Sequence, residues 1–127
     1  MTDKNYKTVL LIDDEEYMHQ IVKTCIELFS DWKTAAARTG EEGLAIVTDL
    51  QPDAIVLDIM MPNMDGFTVL KKLQADQQLA NIPVVLLTSR VDLTEPQKIA
   101  QLGVKGAICK PFRATKLVAQ ITKLLDW

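Results

Sequence analysis

Thr8-Val9-Leu10-Leu11-Ile12-Asp13-Asp14 is a run of strand formers that ends on two carboxylates, and the arrangement returns along the chain. Ala54-Ile55-Val56-Leu57 leads into Asp58, and Ala107-Ile108-Cys109 leads into Lys110. A charged group directly after a short apolar run sits at the carboxyl end of a strand, the edge on which open parallel sheets place their ligands. Within the runs there is almost no polar alternation, above all in Val9-Leu10-Leu11-Ile12 and Val84-Val85-Leu86-Leu87. Strands of that kind are covered on both faces, which requires helices between them.

Helical stripes fill the intervals. Met18, Ile21, Val22, Cys25 and Phe29 recur on one helical face after the first strand. Lys33–Ala37 is a weaker second strand, and Thr39 with Glu42 has capping-box spacing ahead of Gly43, Ile46, Val47 and Leu50, a stripe that stops before Pro52. Residues 54–57 form the third strand. Pro62, Asn63, Asp65 and Gly66 make a loop before the stripe Phe67, Leu70 and Leu73. Strand four is expected over 83–87. Thr94 with Gln97 offers a second capping box, Ile99 and Leu102 an apolar face, and Gly103 a stop. Residues 107–109 begin the last unit, closed by Leu117, Val118, Ile121, Leu124 and Leu125. Five βα units with right-handed crossovers predict an α/β, flavodoxin-like doubly wound fold, a five-stranded parallel sheet in the order 2-1-3-4-5. Its switch point falls between strands one and three, where Asp13, Asp14 and Asp58 end.

At 127 residues the chain suits one domain, 1–127 with a core over about 7–126. A composition 48% hydrophobic and 24% charged is that of a globular protein, and no apolar run approaches the length of a membrane span. The polar start Met1-Thr2-Asp3-Lys4-Asn5 precedes too short an apolar stretch for a signal peptide, so a cytoplasmic location is expected. A formal net charge of −3 gives no basic footprint, so direct nucleic-acid binding is not expected. Cys25 and Cys109 lie in apolar patterns without metal-type spacing and read as free thiols.

Three crowded carboxylates repel one another unless a cation sits among them. With hard oxygen ligands and no His or Cys in the cluster, the chemistry favours Mg²⁺, or Mn²⁺, over zinc. Lys110 is not needed for a metal, but it makes sense beside one if an anion also enters, and the Thr88 hydroxyl can donate to a phosphoryl oxygen. Asp58 is then placed as a nucleophile on phosphorus, forming an acyl phosphate. Each residue also has a structural reading: Asp13 and Asp14 as a helix-capping pair, Asp58 as a turn residue, and Arg90 and His19 as surface groups. The joint occurrence of Asp58 and Lys110 weighs against a purely structural role.

At Leu11-Ile12-Asp13-Asp14, at Leu57-Asp58-Ile59-Met60-Met61-Pro62-Asn63-Met64-Asp65-Gly66, at Thr88-Ser89 and at Lys110-Pro111-Phe112 the chain resembles the receiver domain of two-component response regulators. The resemblance implies a switch rather than an enzyme, phosphorylated by a histidine kinase or histidine phosphotransfer protein and read by a downstream protein target, as a monomer or a phosphorylation-dependent dimer. Asp58 corresponds to the phosphoacceptor, Asp14 and Asp58 to direct Mg²⁺ ligands, Asp13 to a ligand acting through water, and Met60 to a ligand through its backbone carbonyl. Thr88 and Lys110 would hold the phosphoryl group, with a cis Lys110-Pro111 bond aiming the lysine. Met60 and Arg90 occupy positions that modulate phosphoryl lifetime. The position of the usual switch aromatic, three residues before the lysine, holds Ala107, so the usual output route is in question. Competing readings are a phosphorylation-independent receiver-like interaction module, a small-molecule aspartyl-phosphate enzyme, for which the chain lacks residues to build a cap, and a flavin-binding protein on fold alone. A stand-alone regulator and the receiver of a longer protein fit the sequence equally.

Overall fold

The computed structural model describes residues 6–127; the polar start over 1–5, read above for the absence of an export signal, lies outside the described residues. Five strands alternate with five helices: β1 Thr8–Ile12, α1 Glu16–Phe29, β2 Lys33–Ala37, α2 Gly40–Leu50, β3 Ala54–Asp58, α3 Gly66–Ala75, β4 Val84–Thr88, α4 Pro96–Leu102, β5 Gly106–Cys109 and α5 Leu117–Leu125. Short 3-10 turns at Val91–Thr94 and Ala114–Lys116 lead into α4 and α5. All neighbouring strands pair in parallel, in the order β2-β1-β3-β4-β5. The doubly wound sheet read from the sequence is therefore the observed one.

Every residue of β1, β3 and β4 is buried. The period-two geometry of a strand sends their side chains alternately into two cores, which explains why the sequence shows no polar alternation. Leu10, Ile12, Ile55, Leu57 and Leu86 pack under Val47 of α2 and Val69, Leu70 and Leu73 of α3. Val9, Leu11, Val56, Val85 and Leu87 pack under Met18, Val22 and Ile26 of α1 and Leu117 and Ile121 of α5. Each fully buried Leu or Ile side chain contributes roughly 1.5–3 kcal/mol from lost apolar hydration, so the three central strands form the stable platform of the molecule. β2 lies at an edge, and its Lys33 and Ala36 are exposed. That half-open position explains its weak apolar signal.

Helix ends follow the local chemistry, with one departure. Thr39 accepts the Glu42 N–H at 3.0 Å, starting α2 as its spacing predicts, although the Glu42 carboxylate reaches the Arg38 N–H rather than that of Thr39. The expected cap at Thr94 does not form. Its hydroxyl instead donates to the Val91 carbonyl at 2.6 Å and closes the 3-10 turn, while α4 starts at Pro96 after Glu95. Proline has no N–H to cap and a φ already suited to the first helical position, so the start shifts onto it. Gly103 ends α4 at φ +71°, as expected for a left-handed stop. No residue of α4 is fully buried. The Lys110-Pro111 bond is cis.

At the sheet edge opposite the carboxyl ends, the Trp32 and Trp127 rings meet edge to face with centroids 5.0 Å apart, and the Lys7 ammonium lies 5.1 Å from the Trp127 ring centre. Among the described residues, no helix is long and apolar enough to cross a membrane.

Candidate functional site

After Ile12, the chain leaves β1 for the edge strand β2; after Asp58 it leaves β3 in the other direction, opening a crevice between the two. Ile12 pairs with Leu57, so the next residues, Asp13 and Asp58, arrive side by side at the mouth of that crevice. Asp13 is fully buried and bonded throughout. Its N–H donates to the Ala37 carbonyl at 3.0 Å, one carboxylate oxygen accepts the Glu15 N–H at 2.9 Å, and the other accepts the Lys110 ammonium at 3.1 Å. Asp58, also buried, accepts the Met60 N–H at 3.1 Å and has Lys110 Nζ at 3.8 Å. Asp14 is exposed, yet one oxygen of each of Asp13, Asp14 and Asp58 lies within 4.8 Å of the others. Glu15 also faces Lys110, with Oε1 3.7 Å from its nitrogen.

The loop beyond Asp58 is shaped by residues whose types the geometry demands. Asn63 takes a left-handed φ of +67°, and Asp65 caps α3 by accepting the Thr68 N–H at 2.9 Å. A Cβ on Gly66 would lie 2.4 Å from the Asp58 carbonyl oxygen and 2.5 Å from Ile59 Cα, so only glycine lets α3 start against the end of β3. Thr88, fully buried at the end of β4, accepts the Arg90 N–H at 3.0 Å, and a hydroxyl that accepts in this way can also donate.

Burial is the main force pushing the Asp58 carboxyl up to about 6, and the Asp13 charge adds to it; Lys110 and the Met60 N–H pull the other way. Burial of Lys110 opposes its charge, but Asp13 and Asp58 outweigh that and hold its ammonium above the usual range. One ammonium thus faces three close carboxylates and a fourth nearby. The charge is incompletely compensated, and an oxygen-only donor set of this size suits a hard divalent cation such as Mg²⁺ or Mn²⁺.

Of the residues singled out from the sequence, Asp13, Asp14, Asp58 and Lys110 come together directly, and Thr88 ends the strand next to Asp58. Asp13 is not the helix cap: Glu15 holds that position without a side-chain bond, although Asp13 does accept its N–H. Met60 gives its N–H to Asp58 and leaves its side chain 62% exposed. Arg90 is turned to Asp92, which it meets with Nε at 3.3 Å and Nη2 at 2.8 Å, and lies 5.8 Å from the Phe67 ring centre. Ala107 sits in β5 opposite Leu86, partly buried toward α3 and α4, with only a methyl group to offer. Cys25 and Cys109 are free thiols. His19, read from the sequence as a surface group, is instead half-buried, and its Nε2 lies 2.5 Å from the Asp13 carbonyl oxygen. A helical side chain leans toward the helix N-terminus, and that lean, one turn into α1, is the signal that places it over the acidic turn.

Comparison with known proteins agrees with this geometry. The model of the family described as response regulator receiver domain matches residues 9–122. Chemotaxis protein CheY-3 of Vibrio cholerae is 33% identical over 124 residues, covering 98% of this chain and 95% of that protein. The DNA-binding dual master transcriptional regulator RpaA of a Synechocystis strain is 33% identical over 117 residues, 92% of this chain but 48% of the relative. The chain spans about half the length of several such curated regulators. Among solved structures, the Francisella response regulator 1452 receiver domain superposes with a TM-score of 0.80 at 30% identity, covering 94% of this chain and 97% of that one. The chemotaxis response regulator CheY4 of Vibrio cholerae gives 0.84 at 26% identity, over 94% and 99%. With the fold, the strand-end carboxylates and the family match in agreement, the chain belongs to the response regulator receiver domain family.

Proposed function

We propose that this chain is a phosphorylation-driven switch in a two-component or phosphorelay system, in which Asp58 accepts a phosphoryl group from a histidine kinase or histidine phosphotransfer protein. Receiver domains are signalling modules rather than classical enzymes, interact with histidine kinases and downstream targets, and bind Mg²⁺ at an acidic pocket. The observation that carries the finer reading is the meeting of Asp13, Asp14 and Asp58 within 4.8 Å beside an ammonium shared by Asp13 and Asp58.

In this reading Asp14, Asp58 and the Met60 backbone carbonyl would hold Mg²⁺, with Asp13 acting through water. The cation supplies charge neutralisation as phosphoryl oxygens approach the carboxylates. An Asp58 carboxylate oxygen attacks phosphorus in line, the donor's N–P bond breaks, and an acyl phosphate forms. Lys110 moves its charge from the carboxylates to the phosphoryl oxygens, and Thr88 donates its hydroxyl proton to another of them. Met60 and Arg90 border the phosphoryl group and tune its lifetime. Water attack on the acyl phosphate ends the signal. The chain supports both steps of its own phosphorylation cycle, acts in the cytoplasm on a protein target, and makes no direct contact with nucleic acid.

Intact-mass measurement tests this. Acetyl phosphate with Mg²⁺ adds one phosphoryl group to the wild type and none to Asp58→Asn. Equal incorporation in both places the acceptor elsewhere, and none in either favours a phosphorylation-independent interaction module.

A further inference from the structure

We propose that His19 is a positioning residue for the metal site, fixing the peptide that joins Asp13 to Asp14. The inference rests on the Mg²⁺ reading above. His19 Nε2 stands 2.5 Å from the Asp13 carbonyl oxygen. A carbonyl oxygen only accepts, so Nε2 carries the proton and donates. The Asp13 N–H is already tied to Ala37 at 3.0 Å and its carboxylate to Glu15 and Lys110. Among the described residues, His19 therefore supplies the one hydrogen bond on the carbonyl side, and it does so from the helix rather than from the strand platform.

That carbonyl shares a rigid plane with the Asp14 N–H. Holding its oxygen fixes the direction in which the chain enters Asp14. The constraint matters most at Asp14, because its carboxylate is exposed and, among the described residues, has no side-chain hydrogen bond or ion pair of its own. Asp13 and Asp58 are aimed by their bonds to Glu15, Met60 and Lys110; Asp14 is aimed by its backbone. Without His19, the Asp13–Asp14 peptide keeps its ties through the Asp13 N–H and carboxylate but loses the bond on its carbonyl oxygen, which widens the range of directions open to the exposed Asp14 carboxylate. A solvated surface histidine would sit apart from the acidic turn; this ring is half-buried against it.

The test is Mg²⁺ titration of the full chain in wild type, His19→Ala, His19→Gln and His19→Asn, with Asp14→Ala as the control for the metal site. Removing a group that orients a ligand typically costs ten- to a hundredfold in metal affinity. His19→Ala should weaken Mg²⁺ binding by about tenfold. The Gln amide nitrogen stands near the place of Nε2 and should restore affinity to within about twofold, whereas the shorter Asn places its donor nearer Nδ1 and should not. Thermal unfolding without metal separates this from lost stability: Gln and Asn variants that unfold at similar temperatures yet differ in Mg²⁺ affinity support positioning. Wild-type affinity in His19→Ala, or a folded Gln variant as weak as Asn, overturns the proposal. If Asp14→Ala binds Mg²⁺ like the wild type, the ligand assignment fails instead, and the role of His19 with it.

Discussion

Asp58 carries an electrostatic tension, and that tension has a measurable sign. Its carboxyl, ordinarily at 3.8, is raised to about 6 in the fold, so the native state binds its proton more readily than the unfolded chain. Its contribution to stability is fully present below 3.8 and is lost as the pH rises through about 6. At neutral pH the ionised group is a net burden on the order of 2 kcal/mol. Asp58→Asn should therefore be more stable than wild type at pH 7 in metal-free buffer, with the gain gone near pH 4. Thermal unfolding across that range checks it, and a mutant less stable at pH 7 would contradict it. The residues of this site were legible because strand ends announce themselves: an apolar run followed by Asp58 or Lys110 says where the side chain will be. His19 and the Arg90–Asp92 pair were not, since their partners are chosen by the lean of one helix and the turn of one loop, which no periodicity records.

Between residue and fold, the loop from β3 into α3 has the least room for change. Gly66 abuts the Asp58 carbonyl and Ile59 Cα, both backbone atoms that cannot swing aside. Gly66→Ala should destabilise the chain by about 2 kcal/mol or more, in the range of overpacked sites, and should also slow phosphorylation of Asp58 by acetyl phosphate. Denaturant unfolding and intact-mass kinetics read the two effects separately; a fully stable, normally reactive variant would refute the steric account. Gly106 is a milder case, because its added Cβ would meet the Leu124 side chain, which can move. At this scale, strand and helix existence followed from apolar periodicity, while boundaries did not always. The start of α4 slipped from Thr94 to Pro96 because proline's fixed φ and missing N–H outcompete a hydroxyl cap. β2 read weakly for a physical reason too, since an edge strand built on three alanines buries little.

Across the whole molecule, stability and chemistry are divided between a buried platform and its rim. β1, β3 and β4 are buried at every position, whereas α4 buries none of its residues completely. Rearrangement on phosphorylation should follow that division, because only weakly packed elements open at low cost. Beryllofluoride standing in for the phosphoryl group should increase hydrogen-exchange protection most between residues 88 and 99. Residues 107–112 should change mainly around Lys110, since the methyl of Ala107 offers little contact that differs between states. Dominant protection across α5 with the 88–94 loop unaffected would show that output runs by another face. The paired tryptophans have a practical consequence for such work. Both indoles of the chain, Trp32 and Trp127, stand at the far edge of the sheet, meeting edge to face, with Lys7 over the Trp127 ring. Intrinsic emission is thus a gauge of whether Trp127 stays docked on Trp32, at the end of the sheet away from the acidic cluster; a spectroscopist testing the proposed switch should install a fluorophore beside Thr88 rather than rely on the native ones.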